Sequence, residues 1–242
     1  MAEWFASVKA EFELNFIKAD RWEYLVTGLG NTLLLTLVAL IVGVLIGIVV
    51  AAVRSTYDKT AETARPSFGR RVFGFFNGLC KVYLTVVRGT PVVVQVMIFF
   101  YVIFATAKDG TMVAALAFGI NSGAYVAEII RGGIMSVDNG QFEAGRSLGF
   151  NYVQTMLYIV IPQVFKSVLP ALLNEFIALL KETSVAGYVG IMDLTKAGDL
   201  IRGRTFSAFM PLIAVALVYL IIVMLLTSLV GQLERRLRKS ER

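Results

Sequence analysis

Two long runs of this chain, Leu29 to Val53 and Phe206 to Val230, contain no Asp, Glu, Lys or Arg. Water-soluble folds do not tolerate such runs on a surface. At about 1.5 Å per residue, each is long enough as a helix to cross a hydrocarbon core of about 30 Å. A chain that is 57% hydrophobic, with a mean hydropathy of +0.73, is therefore expected to be a polytopic, all-α membrane protein rather than one or two soluble domains.

Charge sets the expected orientation. Arg54, Lys59, Arg65, Arg70, Arg71 and Lys81 outweigh Asp58 and Glu62 after the first run, and Arg235, Arg236, Arg238, Lys239 and Arg242 crowd the end of the chain. Both clusters are expected inside the cell, because Lys and Arg in short flanks resist translocation. The leader carries Glu3, Glu11, Glu13, Asp20 and Glu23 against Lys9, Lys18 and Arg21, the wrong charge for a cleavable signal, and reads as a short amphipathic or surface segment lying outside. Five crossings satisfy both ends, at about 25–53, 82–107, 111–131, 153–180 and 206–230. Segment 1–24 then lies outside or at the interface, 25–231 is the transmembrane body, and 232–242 is a basic tail inside. The surplus of +6 is a topology signal on this reading and not a nucleic-acid footprint.

Several chemistries are disfavoured. One cysteine, Cys80, cannot form an intrachain disulfide, and a chain without histidine lacks the usual zinc ligand and neutral-pH acid–base group. No catalytic or metal-binding residue is assigned. Gly28-Leu29-Gly30-Asn31-Thr32 lacks the lysine and the spacing of a phosphate-binding loop.

The middle spans carry polar interruptions instead. Span two holds Arg88-Gly89-Thr90-Pro91, where the helix should bend or start afresh. Span three holds Asn121-Ser122-Gly123 and then Glu128. Span four holds Pro162, Lys166, Pro170 and Glu175 and ends at Lys181-Glu182-Thr183-Ser184. A central Lys, Arg or Asp costs about 2.5–3.5 kcal/mol in a membrane, so these groups must face partner helices, an aqueous path or the interface. Gln95, Asn121, Ser122, Glu128, Glu175 and Glu182 are candidates for a substrate path. Glu128 could meet a substrate's positive group or pair with Arg88 or Arg131. Arg88, Pro91, Pro162 and Lys181 are gating or structural candidates, and Arg88 equally suits a lipid phosphate. Gly43 and Gly47 have the spacing of a close helix approach or reflect ordinary glycine enrichment.

The most distinctive segment is polar, NGQFEAGRSLGFNYVQTMLYIVIPQ at 139–163. Asp138 or Asn139 can cap a short helix, Glu143 and Arg146 have i,i+3 spacing, and Gly149 lets the chain turn back. A helix of about ten residues is marginal alone and makes sense if it docks on another protein.

Glu143, Ala144, Gly145 and Gly149, followed by Ile159 and Ile161-Pro162, resemble the EAA signature of importer-type ABC transporter permeases. The departures are Gly145 in place of the second alanine and Ile161 in place of leucine. GLGNTLLLTL at 28–37, VVRGTPVVVQ at 86–95, NSGAYVAEIIRGGI at 121–134 and LLKETSVAG at 179–187 are similar to the polar amino acid uptake subfamily. The resemblance implies a type I importer permease. It would pair with a second copy or a related permease, and the pair would hold two ATPase subunits that carry ATP and Mg. An extracytoplasmic solute-binding protein would deliver a polar amino acid. Glu143, Ala144, Gly145 and Gly149 would form the coupling contact at about 138–149. The alternative class is a secondary amino acid transporter, which also uses broken helices and midplane polar groups. The stretch Ser55–Asn77 has no partner assigned.

Overall fold

The computed structural model describes residues 1–60 and 67–239. Its helices are α1 (Ala2–Phe12), α2 (Trp22–Lys59), α3 (Phe68–Gly89), α4 (Val92–Ile98), α5 (Gly110–Ser136), α6 (Asn139–Ser147), α7 (Tyr152–Thr155), α8 (Ile161–Glu182), α9 (Leu194–Thr205) and α10 (Phe209–Lys239). Among the described residues, four helical stretches are long and apolar enough to cross a membrane. A fifth is reached if α3 and the segment Val92–Ile103 count as one broken span.

The bend expected at Pro91 is a break between two helices, and the first of them starts at Phe68, earlier than the expected bound of about 82. α3 ends at Gly89, Thr90 is extended (φ −123°, ψ 147°), and the next helix leaves at 110°. The cause is local: the ring of Pro91 excludes Thr90 from the helical region, and Pro91 has no amide to donate. Two other expected interruptions do not break their helices. α5 runs unbroken through Asn121-Ser122-Gly123, whose polar side chains are buried. A Cβ on Gly123 would meet the Tyr83 hydroxyl at 2.9 Å and Ile46 at 3.0 Å, so this glycine serves close packing and not a kink. At Pro162 the helix also continues, after a widened π-turn at Met156–Val160. Of the Ser55–Asn77 stretch, 61–66 lie outside the described residues, and the remainder is largely extension of α2 and α3.

The chain divides into two compact units. The first comprises Met1–Val38, Val92–Phe118 and Ile177–Leu229. Its interior contains a hydroxyl ladder. Thr32 donates to Gly28 O (2.9 Å) and accepts from the Leu194 amide (3.0 Å). The hydroxyls of Thr36 and Thr183 lie 3.1 Å apart. Buried Asp193 caps α9 by accepting from the Thr195 and Lys196 amides, each at 3.1 Å. The leader is anchored too. Buried Asn15 donates to Ser207 (3.3 Å) and accepts from Thr205 (2.7 Å), and Arg204 donates to Tyr24.

The second unit holds Ala39–Pro91, Gly119–Phe176 and the described residues from Val230 on. Here α2 and α5 pack closely because Gly43 faces the Gly119 carbonyl and the Gly123 amide, where a Cβ would sit 3.2 Å from both. Gly47 lies against Val126 with no room for a Cβ. The pair at 43 and 47 is therefore a packing device. Val50, Leu84, Ala124 and Ala127 form one apolar cluster, and Ile134, Val160, Val164 and Val168 another.

Candidate functional site: a short helix held from behind

α6 begins where Asp138 accepts the Gly140 amide at 2.6 Å. It ends in a left-handed turn. Gly149 has φ +83°, a region costly for residues with a side chain, and the Phe150 amide donates back to the Gly145 carbonyl at 3.0 Å. A new helix starts at once. Asn151 accepts the Gln154 amide while Gln154 accepts the Asn151 amide, both at 2.9 Å, a reciprocal capping box. The result is a helix–turn–helix hairpin in which α6 lies against α7.

Gly145 is the buried contact between them, and a Cβ there would meet Thr155 Oγ1 at 2.6 Å. The departure from the Glu-Ala-Ala pattern is thus accommodated by Thr155. The Phe142 and Tyr152 rings stack with centroids 6.4 Å apart. α2 holds the hairpin from its far end. Lys59 donates to Asn139 Oδ1 at 2.8 Å and lies 4.7 Å from the Phe142 ring centre, and the Tyr152 hydroxyl reaches Thr56 at 3.4 Å. Lys59, Phe142, Glu143, Arg146, Tyr152 and Thr155 help line an open cavity of about 320 Å³. Glu143, Ala144, Arg146 and Leu148 are exposed, and among the described residues no ion pair joins Glu143 to Arg146. The inner side of this helix is packed and capped, and its outer side is bare.

The other candidates fall in two groups. In the second unit, the Ser122 hydroxyl donates to Glu175 at 2.8 Å beside buried Asn121. Glu128 accepts from Arg131 at 3.0 Å, and Arg131 also faces Asp58 at 3.6 Å, so the ion-pair reading of Glu128 is realised through Arg131. Arg88 is exposed and lies 5.6 Å from the Tyr125 ring centre. In the first unit, Gln95 rides half-buried on α4. That helix packs on the tight turn Thr183–Val189, which follows exposed Lys181 and half-buried Glu182. Sequence reasoning did not single out Thr56, Lys59 or Tyr152 for the joint: Lys59 read as a topology charge, and its partner lies 80 positions away.

Residues 43–239 match the family model described as the binding-protein-dependent transport system inner membrane component. The chain belongs to this permease family. The permease is similar to the probable glutamine ABC transporter permease protein GlnM of Bacillus subtilis (strain 168). The two are 35% identical over 223 residues, covering 91% of this chain and 96% of that one. It is 37% identical over 174 residues to the glutamine transport system permease protein GlnP of Escherichia coli (strain K12), covering 69% and 80%. Among solved structures it resembles an amino acid ABC transporter crystallised with histidines, at TM-score 0.76 and 36% identity over 88% of this chain and 94% of that one. The MetNI methionine ABC transporter, at 19% identity and TM-score 0.75, shares the fold. The permease is a multi-pass inner-membrane subunit of an ABC-type importer, and ATP is hydrolysed by a separate subunit.

Proposed function

We propose that the permease carries a polar amino acid inward when a bound ATPase pushes on α6. The observation that carries this reading is the joint itself, with exposed Glu143 and Ala144 on a helix clamped by Gly145–Thr155 and by Lys59–Asn139. The names of the two permease relatives make glutamine the first substrate to test.

In this reading two permeases, identical or related, bind two ATPase subunits that carry ATP and Mg, and a solute-binding protein delivers substrate outside. The chain crosses five times with its N-terminus out and its basic C-terminus in, counting α3 and Val92–Ile103 as one broken crossing. Residues 1–24 stay outside, 25–231 form the transmembrane body, and 232–242 form the inner tail. Glu143, Ala144, Gly145 and Gly149 make the coupling contact. The candidates for substrate contact are Gln95 and Glu182 in the first unit and Asn121, Ser122, Glu128 and Glu175 in the second. Arg88, Pro91, Pro162 and Lys181 shape the path or gate it.

The test is reconstitution in liposomes with the ATPase that co-purifies with it and a glutamine-binding protein from the same cells, followed by uptake of labelled glutamine. ATP-dependent accumulation that disappears in Glu143→Ala and Gly149→Val, with the ATPase lost on co-purification, is the expected result. Accumulation driven by an ion gradient without ATP would overturn the reading.

A further inference from the structure

Lys81, Thr85 and Arg88 recur at i, i+4 and i+7 on α3, which stacks them along one face. Arg54 of α2 joins that face, donating to Asn77 Oδ1 of α3 at 3.1 Å. Together with Leu84, Gly89 and Glu128 they line an open cavity of about 450 Å³. Its charge is unbalanced. The carboxylate of Glu128 is already engaged by Arg131, and Arg131 is shared with Asp58. Among the described residues no ion pair answers Arg54, Lys81 or Arg88, and the Nε of Arg54 is buried without an acceptor.

Glu128 is the carboxylate that also feels Arg54 and Arg88, and cations that outnumber their carboxylates beside a bilayer are costly, so the cluster calls for an anion. The neighbouring stripe of the same helix says which kind. Phe75, Leu79, Val82 and Val86 are exposed apolar side chains, each at least 49% accessible, running along α3 beside the cationic face. A soluble anion would satisfy the charge and leave that stripe unused. A molecule with an anionic head and hydrocarbon tails satisfies both. Arg54 directly follows the apolar run that ends at Val53, which is the level at which headgroups begin.

We infer that Arg54, Lys81 and Arg88 form a binding site for the phosphodiester of an anionic phospholipid, with the acyl chains lying along Val82 and Val86, on the membrane side of Asn77. The site holds α3 against α2 next to the broken span and makes this permease selective for the lipids around it.

Native mass spectrometry of the delipidated permease–ATPase complex tests this, with phosphatidylglycerol and phosphatidylcholine of identical chains added in equal amounts. Phosphatidylglycerol should be retained at least tenfold better. Each of Arg54→Gln, Lys81→Gln and Arg88→Gln should reduce the preference by about fivefold, from roughly 1 kcal/mol per basic residue at an anionic surface. Arg54→Lys and Arg88→Lys should keep most of it. Unmodified complex supplies a control independent of folding: the preference should fall as salt rises, since screening weakens exposed charge pairs. Equal retention of the two lipids, a salt-insensitive preference, or glutamine variants that still prefer phosphatidylglycerol would overturn the inference. So would inorganic phosphate at millimolar concentration displacing the lipid completely, because the site would then take a free anion.

Discussion

The ammonium of Lys59, the last residue of α2, lies 4.7 Å from the centre of the Phe142 ring on α6. The same nitrogen donates to Asn139, so one side chain holds the first turn of the short helix at two points. On the proposed coupling, a push on α6 would reach α2 through this side chain. The joint is a strut, and its strength can be measured.

Lys59→Met keeps the length of the stem and removes both contacts. A cation–π contact at an exposed site is worth about 0.5–1 kcal/mol. A double-mutant cycle of Lys59→Met with Phe142→Leu, read on ATP-driven uptake, should give a coupling energy of that size. Uptake should fall several-fold while the ATPase still co-purifies. Strictly additive effects would show that Lys59 transmits nothing through Phe142.

Gly145→Ala would restore the usual family residue, yet here it should harm. The new methyl would sit 2.6 Å from Thr155 Oγ1, and overpacking of this kind costs about 1–3 kcal/mol. Gly145→Ala should lower the unfolding midpoint of the purified permease, and adding Thr155→Ala should recover most of the loss. Absence of rescue would place the strain elsewhere.

These two sites show what the sequence could reveal. The apolar runs, the bend at Pro91, the cap at Asp138 and the turn at Gly149 are local consequences of residue type, and each was legible. The glycine pair Gly43 and Gly47 was legible as a spacing, while its partner on α5 was not. Asn121 and Ser122 misled, because polar residues inside a span look like a break until a partner such as Glu175 is known. Thr56, Lys59 and Tyr152 were missed for the same reason in reverse: their roles come from neighbours distant along the chain, and no local pattern records that.

Glu128 offers a direct contest between its two roles. If it serves Arg131, then Arg131→Met removes the cation that Glu128 and Asp58 share and leaves Glu128 only the weaker pull of Arg88 and Arg54, a loss of roughly 1–3 kcal/mol for a partly buried pair. Thermal unfolding should then show Arg131→Met more damaged than Glu128→Gln, and the double variant partly repaired. Substrate KM should move little in Glu128→Gln. A large rise in KM at unchanged stability would assign Glu128 to the substrate instead.

Asp193 gives the pH prediction. Burial pushes its carboxyl above the usual carboxylate range, and the amides of Lys196 and Thr195 that it caps only partly offset this. A carboxyl that holds its proton more tightly in the folded state favours folding most at low pH. That contribution is lost as pH rises from the unfolded value of about 4 through the raised folded one. Asp193→Asn keeps an oxygen to cap α9 and removes the titration. Its unfolding midpoint should vary less with pH across that window than that of the wild type, and the two curves should separate in favour of the variant as pH rises. Asp193→Ala removes the cap as well and should cost about 1 kcal/mol at every pH relative to the asparagine variant. Parallel wild-type and Asp193→Asn curves would mean that the capping bonds cancel the desolvation completely.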